Sequence, residues 1–299
     1  VIAWSFPTAP ASRLAALRIV LGLAAWIYVV ARLPDLVGVA RLPAWQFKPV
    51  GPVALLGAPL PGGLVVALVA LAIALGAGFV AGWRWRITGP GFAAVLLWVI
   101  SYRNSWGMTF HTENLMVLHV GVLACARAAD AWSLDARRTG IATDGEHVRY
   151  GAPIRLLAIV TVTTYFIAGY SKVANAGLGW VTSDTLRNYV AFDNLRKAEL
   201  GDIHSPLGAA LVRHPWVFPP LAAFSLLLEL GAPLVLLHRR LAQWWCVGAW
   251  SFHVGVLATM WIVFHYPLLG LAYAPFFALE GAVGRVGAWA RARWAYGRR

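Results

Sequence analysis

Eight ionisable side chains stand in apolar stretches of this chain: Arg18, His111, Glu113, His119, Lys172, Glu229, His253 and His265. Ionisable groups in such surroundings are costly, and they mark either a site or a pairing. Lys172 ends the apolar run Leu156 to Ser171. A lysine held in a dry site loses preference for its charged form and can serve as a base near neutral pH. At a membrane edge the same side chain simply reaches the headgroups along its apolar stem. Position alone leaves both readings open. His253 lies deep in an apolar run, between Ser251-Phe252 and Val254-Gly255, where a hydrogen-bond partner is required. His111 and Glu113 open another apolar run, as interfacial residues or as part of a site. His119 is expected to be satisfied by a backbone carbonyl or a hydroxyl. Glu229 is expected to pair with Arg18, because paired charges lower the cost of burial.

Metal and nucleotide chemistry find little support. No His-Glu-x-x-His, Gly-x-Ser-x-Gly, P-loop or dinucleotide pattern occurs. His111 and His119 are eight residues apart, roughly 80° off one helix face. Cys125 and Cys246 offer neither a disulfide framework nor zinc spacing. No metal is expected.

The elements that must position these residues are membrane helices. Hydrophobic residues make up 60% of the chain and charged residues 12%, against about 25% charged in soluble domains. The mean hydropathy is +0.67. A net charge of +13 raises the question of nucleic acid, but the basic residues sit mainly between apolar runs, as membrane topology demands. Nucleic-acid binding is not expected. The start Val-Ile-Ala-Trp has no basic region ahead of its apolar run, so no signal peptide is expected.

A span needs about 20 apolar residues. The sequence predicts an all-α, polytopic transmembrane bundle forming one domain. Its eight spans lie near 14–33, 63–83, 89–103, 109–128, 152–172, 216–237, 242–263 and 266–283. Fifteen basic residues fall on the inner side and eight on the outer if both termini are cytoplasmic, which favours that orientation in the inner membrane. His111, Lys172 and His253 then share the outer half of the bilayer, with His265 at the outer lip. The proline- and glycine-rich stretch 34–62 reads as a re-entrant or interfacial element, and Thr185 to Leu200 as an interfacial helix. The tail 284–299 interleaves arginines with Trp289, Trp294 and Tyr296, a pattern suited to an anionic membrane face. The small residues Thr163, Ala168, Gly169 and Ser171 allow a second helix to approach Lys172 closely, for packing or for a ligand. No internal repeat is visible, which weakens a transporter built from inverted halves.

The residues also carry a resemblance. The chain resembles the HTTM membrane domain shared by bacterial proteins and the vitamin K-dependent gamma-carboxylase. Five segments carry it, in order and at similar spacing: Ala16 to Gly22, Phe110 to Leu115, Trp132 to Asp135, Tyr165 to Lys172, and Leu226 to Leu230 followed by Ser251 to His253. The resemblance implies Lys172 as the catalytic base and His111 and His253 as catalytic histidines. Glu113, Tyr165, Gly169, Glu229 and His265 are assigned to substrate or quinone binding around them, with Arg18 as a structural charge. In the carboxylase a lysine deprotonates vitamin K hydroquinone, and oxygen converts the quinone to an epoxide. The strong base so generated removes a proton from glutamate before carbon dioxide adds. A quinol hydroxyl has phenol-like acidity, about 10, which a desolvated neutral lysine matches. The histidines would hydrogen-bond the quinone oxygens or stabilise developing oxyanions.

The implied cofactor is reduced menaquinone or vitamin K hydroquinone, with O2 and CO2 as further reactants. The implied partners are membrane lipids, a hydrophobic quinol, and a secreted peptide or extracytoplasmic protein. Two departures qualify this. Ser171 stands where the carboxylase has a second lysine, and the resemblance covers only its transmembrane core. Quinol chemistry is therefore expected ahead of peptide glutamate carboxylation. The alternative is a non-catalytic lipid- or peptide-binding protein, similar to the bacterial relatives that mature a sporulation-delaying peptide toxin.

Overall fold

Apolar runs become the long helices, two of them continuing through an internal proline, Pro90 and Pro153. A computed structural model describes residues 7–107, 111–140, 143 and 145–296, side chains within 290–292 and 294–296 aside. It is nearly all-α. The longer helices are α1 (Ala11–Ala31), α2 (Gly62–Ala81), α3 (Trp85–Asn104), α4 (Asn114–Ala124), α5 (Val148–Ala176), α6 (Thr185–Glu199), α7 (Phe218–Leu230), α8 (Arg239–Met260) and α9 (Glu280–Tyr296). Ala9–Pro10 and Glu146–His147 form a two-residue antiparallel pair. Among the described residues three helices, α1, α2 and α5, are long and apolar enough to cross a membrane.

The chain divides into two compact units, residues 1–157 with 277–299 and residues 158–276. In the first, α1 packs on α2 and α4, and α3 on α2 and α4. Glycine sets the approach: a Cβ on Gly22 would lie 2.7 Å from the Phe79 ring. α2 ends at Gly82, whose φ of 61° is left-handed and whose N–H donates to Gly78 and Phe79 carbonyls. α3 begins under the Asp135 carboxylate, which accepts from the Arg84 and Trp85 N–H groups at 2.9 and 2.7 Å. That anion satisfies donors that a helix start leaves open. The stretch 34–62 forms short helical turns around Val53, Val65 and Tyr102. Its backbone is tied down by Lys48 N–H to the Ser105 carbonyl (2.7 Å) and Leu60 N–H to the Tyr102 hydroxyl (3.1 Å).

In the second unit, α8 packs on α6, α7 and the short helix Pro206–Leu211. The stretch Thr185 to Leu200 contains a helix, α6. Its neighbourhood caps the end of α8, where carbonyls lack helical donors. Ser205 Oγ donates to the Ala258 carbonyl (2.5 Å), Asn194 Nδ2 to Thr259 (2.9 Å) and Lys197 Nζ to Met260 (2.5 Å).

The expected run 266–283 is not one helix. It comprises the short helix His265–Leu268, a 3-10 stretch Leu271–Phe276, and the start of α9. Pro267 and Pro275 lack an N–H, and Gly270 adopts a left-handed φ of 75° between them. The run 109–128 yields an 11-residue α4, rising about 16 Å against a bilayer core of about 30 Å. The run 216–237 gives α7 and then a 3-10 stretch from Ala232, where Pro233 removes a donor.

Candidate functional site

α5 carries a stripe of inward residues at spacings of four, four and three: Thr161, Tyr165, Gly169 and Lys172. Such spacing keeps all four on one face. Thr161 Oγ1 donates to the Ala272 carbonyl at 3.1 Å, fixing the face against the chain after α8. Gly169 opens the space into which α7 advances: a Cβ there would lie 2.8 Å from Glu229 Cβ. One turn on, Lys172 Nζ donates to both carboxylate oxygens of Glu229, each at 2.5 Å. The Lys172 side chain is 19% exposed and that of Glu229 only 3%.

Two aromatic faces complete the surroundings of the ammonium. Trp180 stands 5.1 Å and Phe252 5.5 Å from Nζ, within range for attraction to the ring quadrupole. Gly177, at a φ of 57°, ends α5 and turns the chain so that Trp180 comes back on a short helix, Gly179–Thr182. The Trp180 indole N–H donates to Ser225 Oγ at 3.2 Å. Ser225 is one turn before Glu229, so a single face of α7 places both the carboxylate and the indole.

Deeper along the stripe, the Tyr165 hydroxyl bridges His253 Nε2 and the Tyr273 hydroxyl, at 2.8 Å each. All three residues are buried. A phenol has one proton, so Tyr165 donates to one neighbour and accepts from the other. Trp245 meets the Tyr165 ring edge-on at 4.9 Å, and its indole N–H donates to the Leu228 carbonyl at 2.9 Å. Phe252 and His253 are sequence neighbours, so α8 contributes to both the lysine cage and the hydroxyl chain. His265 opens the short helix beyond α8 and is exposed.

His111 and Glu113 belong to the first unit. Glu113 is buried, and Tyr28 of α1 donates to its Oε1 at 2.8 Å; His111, two residues earlier, is exposed. His119 is fully buried and hydrogen-bonded to the Leu157 backbone, as its position required. The expected pairing of Arg18 with Glu229 is corrected. Glu229 holds Lys172, while the fully buried Arg18 donates to the carbonyls of Ala128 (2.8 Å), Ala131 (3.3 Å) and Trp132 (2.6 Å). A guanidinium has a planar fork of donors, and the turn after α4 exposes several carbonyls that need them. Among the described residues no group of three or more His, Cys, Asp or Glu side chains is arranged to hold a metal.

Residues 6–280 match the family model of the HTTM domain. The chain belongs to the HTTM family. HTTM is the transmembrane domain of gamma-carboxylase-like proteins. No curated protein and no solved structure matches the chain.

Within this HTTM domain, the shared segments divide into two kinds. Trp132 to Asp135 is a structural junction: the Trp132 carbonyl receives Arg18, Ser133 donates to the Ala129 carbonyl and accepts from Ala136 N–H, and Asp135 caps α3. Tyr165 to Lys172, Leu226 to Leu230 and Ser251 to His253 instead meet around Lys172 in the second unit. The HTTM sequence gave less warning of Trp180, Ser225 and Tyr273. Trp180 follows the flexible run Gly177-Leu178-Gly179, where a large indole is out of keeping, and Ser225 sits four residues before Glu229. Tyr273 carried no local signal, because its chain was read as a continuous span.

Proposed function

We propose that this chain is an integral membrane enzyme of the gamma-carboxylase-like kind, in which Lys172 acts as the base toward a membrane quinol. The observation that carries the reading is the Lys172–Glu229 pair under two aromatic faces. A lysine–glutamate pair has two arrangements of its shared proton, ammonium with carboxylate or amine with carboxylic acid. The second arrangement exposes a neutral amine without any charge leaving the site. A proton taken up at Nζ then leaves the pair carrying one positive charge opposite the anion it has created, which is electrostatic stabilisation where charge develops. Glu229 is thus the proton partner of the base as well as its anchor.

The donor set fits a flat, apolar ring with oxygen at its ends. Trp180 and Phe252 offer stacking faces, Lys172 a proton acceptor, and the His253–Tyr165–Tyr273 chain a reversible donor or acceptor. A reduced quinone bound there supplies a hydroxyl of phenol-like acidity and, once deprotonated, the electrons for reaction with oxygen. Tyr165 and His253 orient and polarise; Gly169 admits α7; His265 lies toward the entrance. His111 and Glu113 are assigned to the same reaction on the strength of the family resemblance. The chain passes the inner membrane about eight times, with some passages broken. Both termini are cytoplasmic and the lysine faces the outer leaflet. Carboxylation of a secreted peptide or partner is the extension of this chemistry that the family suggests.

The test is mass spectrometry of quinones retained by the detergent-purified protein, before and after aerobic incubation with reduced menaquinone. The expected result is a bound quinone and an epoxide product that disappears in Lys172→Met. Bound quinone without any product would remove the enzymatic reading. Absence of bound quinone would favour the non-catalytic alternative, a lipid- or peptide-binding protein.

A further inference from the structure

The first unit contains a cavity of about 640 Å³ between the start of α1, the Asp130–Ser133 turn and α9. That is within the range of small-ligand sites, roughly 300–1,000 Å³. Its lining is mixed. Ile19, Ala131 and Val283 are apolar, and Ser12, Asp130 and Arg137 polar. Trp132 stands at its edge, 43% exposed, with a left-handed φ of 50°. For a bulky side chain that conformation is strained and must be held from outside. Arg18 holds it, through the Trp132 carbonyl. Gly284 lines the cavity beside Trp132: a Cβ there would lie 3.6 Å from the Trp132 ring, in ordinary contact, and a larger side chain would extend into the cavity.

The two charged residues that line the cavity, Asp130 and Arg137, differ in how they are partnered. Asp130 Oδ2 is engaged by Arg127 at 3.0 Å and by the Tyr150 hydroxyl at 2.9 Å. Glu280, at the start of α9, is engaged by Arg13 at 2.7 Å. Arg137 lines the cavity, is exposed, and has no ion-pair partner among the described residues. Among the described residues the cavity therefore combines a cation without an ion-pair partner and hydroxyl groups with hydrocarbon. We infer that it binds one anionic phospholipid, its phosphate against Arg137 and its upper acyl carbons against Ile19, Val283 and Trp132. The amphiphile is the ligand a membrane chain meets with both properties at once, and an α9 that interleaves Arg285, Arg291 and Arg293 with Trp289 belongs at an anionic surface. This site lies in a different unit from Lys172 and does not depend on the proposed quinol chemistry.

Native mass spectrometry of the full chain in detergent tests it, with phosphatidylglycerol and phosphatidylcholine of identical acyl chains added separately. One phosphatidylglycerol is expected to stay bound at voltages that strip phosphatidylcholine. Arg137→Glu should weaken it at least about fivefold, the worth of one basic residue at an anionic headgroup. Gly284→Leu should exclude both lipids from this site while the protein remains monodisperse. Equal retention of the two lipids, or unchanged retention by Arg137→Glu, would overturn the inference. Because Arg137 is exposed, that variant folds and decides the matter even if Gly284→Leu does not. Displacement of the lipid by millimolar inorganic phosphate would also overturn it, assigning the cavity to a free anion.

Discussion

Gly169 and Glu229 meet with no room for a side chain between them: a Cβ on Gly169 would lie 2.8 Å from the Cβ of Glu229 and 3.1 Å from the Leu230 nitrogen. The neighbours are a main-chain atom and a β-carbon, neither of which can swing away. The close approach of α5 and α7, and with it the reach of Lys172 to a carboxylate, therefore rests on the absence of one methyl group.

Gly169→Ala is expected to lower stability by about 1–3 kcal/mol, the usual cost of forcing carbon into a packed contact. Thermal unfolding in detergent would show it as a lower Tm. Gly169→Leu should go further and abolish quinol turnover, because the carboxylate then moves out of reach of Nζ.

Removing one member of the Lys172–Glu229 pair strands the other. Lys172→Met and Glu229→Leu should each destabilise by about 3 kcal/mol or more, whereas the double variant should regain most of that loss. Turnover is expected to vanish in all three. A double variant that is stable and inactive separates the chemical role from the structural one, which Lys172→Met alone cannot do. Full activity in the stable double variant would dismiss Lys172 as the base.

Tyr165→Phe removes the hydroxyl that joins His253 to Tyr273 and leaves two buried polar atoms short of a partner. A loss of about 1–3 kcal/mol is expected. Adding Tyr273→Phe to Tyr165→Phe should cost little more, since the bond between them is already gone. Additive losses in this double-mutant cycle would mean that the two hydroxyls act separately.

Arg18→Met deprives three carbonyls of their donor and should destabilise the first unit by several kcal/mol, as buried charge-assisted hydrogen bonds are worth about 1.5–3 kcal/mol each. Arg18→Lys should recover less than half, because an ammonium cannot reproduce the planar fork. Yield of folded protein after detergent extraction is the measurement.

Orientation can be read with a membrane-impermeant thiol reagent. Ser183 is exposed in the connection between α5 and α6. Ser183→Cys should be labelled in intact cells, while Cys125 should react only after lysis. The reverse pattern would invert the proposed topology.

Much of this arrangement was legible in the residues. Lys172, Gly169 and Tyr165 share a helical period, and His253 announced itself as an imidazole deep in hydrocarbon. What could not be read was the partner of Glu229. Helix pairing depends on depth of approach, and Arg18 looked the eligible partner because nothing in the residues shows that Gly169 brings α7 against α5. The broken passage around Gly270 was missed because composition there stays apolar: hydropathy registers solvent preference, whereas Pro267 and Pro275 act on backbone hydrogen bonding. Tyr273 was hidden by the same error.

The capping of α8 has a consequence for how the chain is made. Ser205, Asn194 and Lys197 leave the ribosome more than fifty residues ahead of the carbonyls they receive. By the time Ala258, Thr259 and Met260 emerge, their donors have already been synthesised, so the end of α8 need not wait with bare oxygens. The segment between α5 and α7 thereby serves during biogenesis as a template laid down in advance, and an epitope inserted into it would be met first as a failure of insertion rather than as a failure of activity.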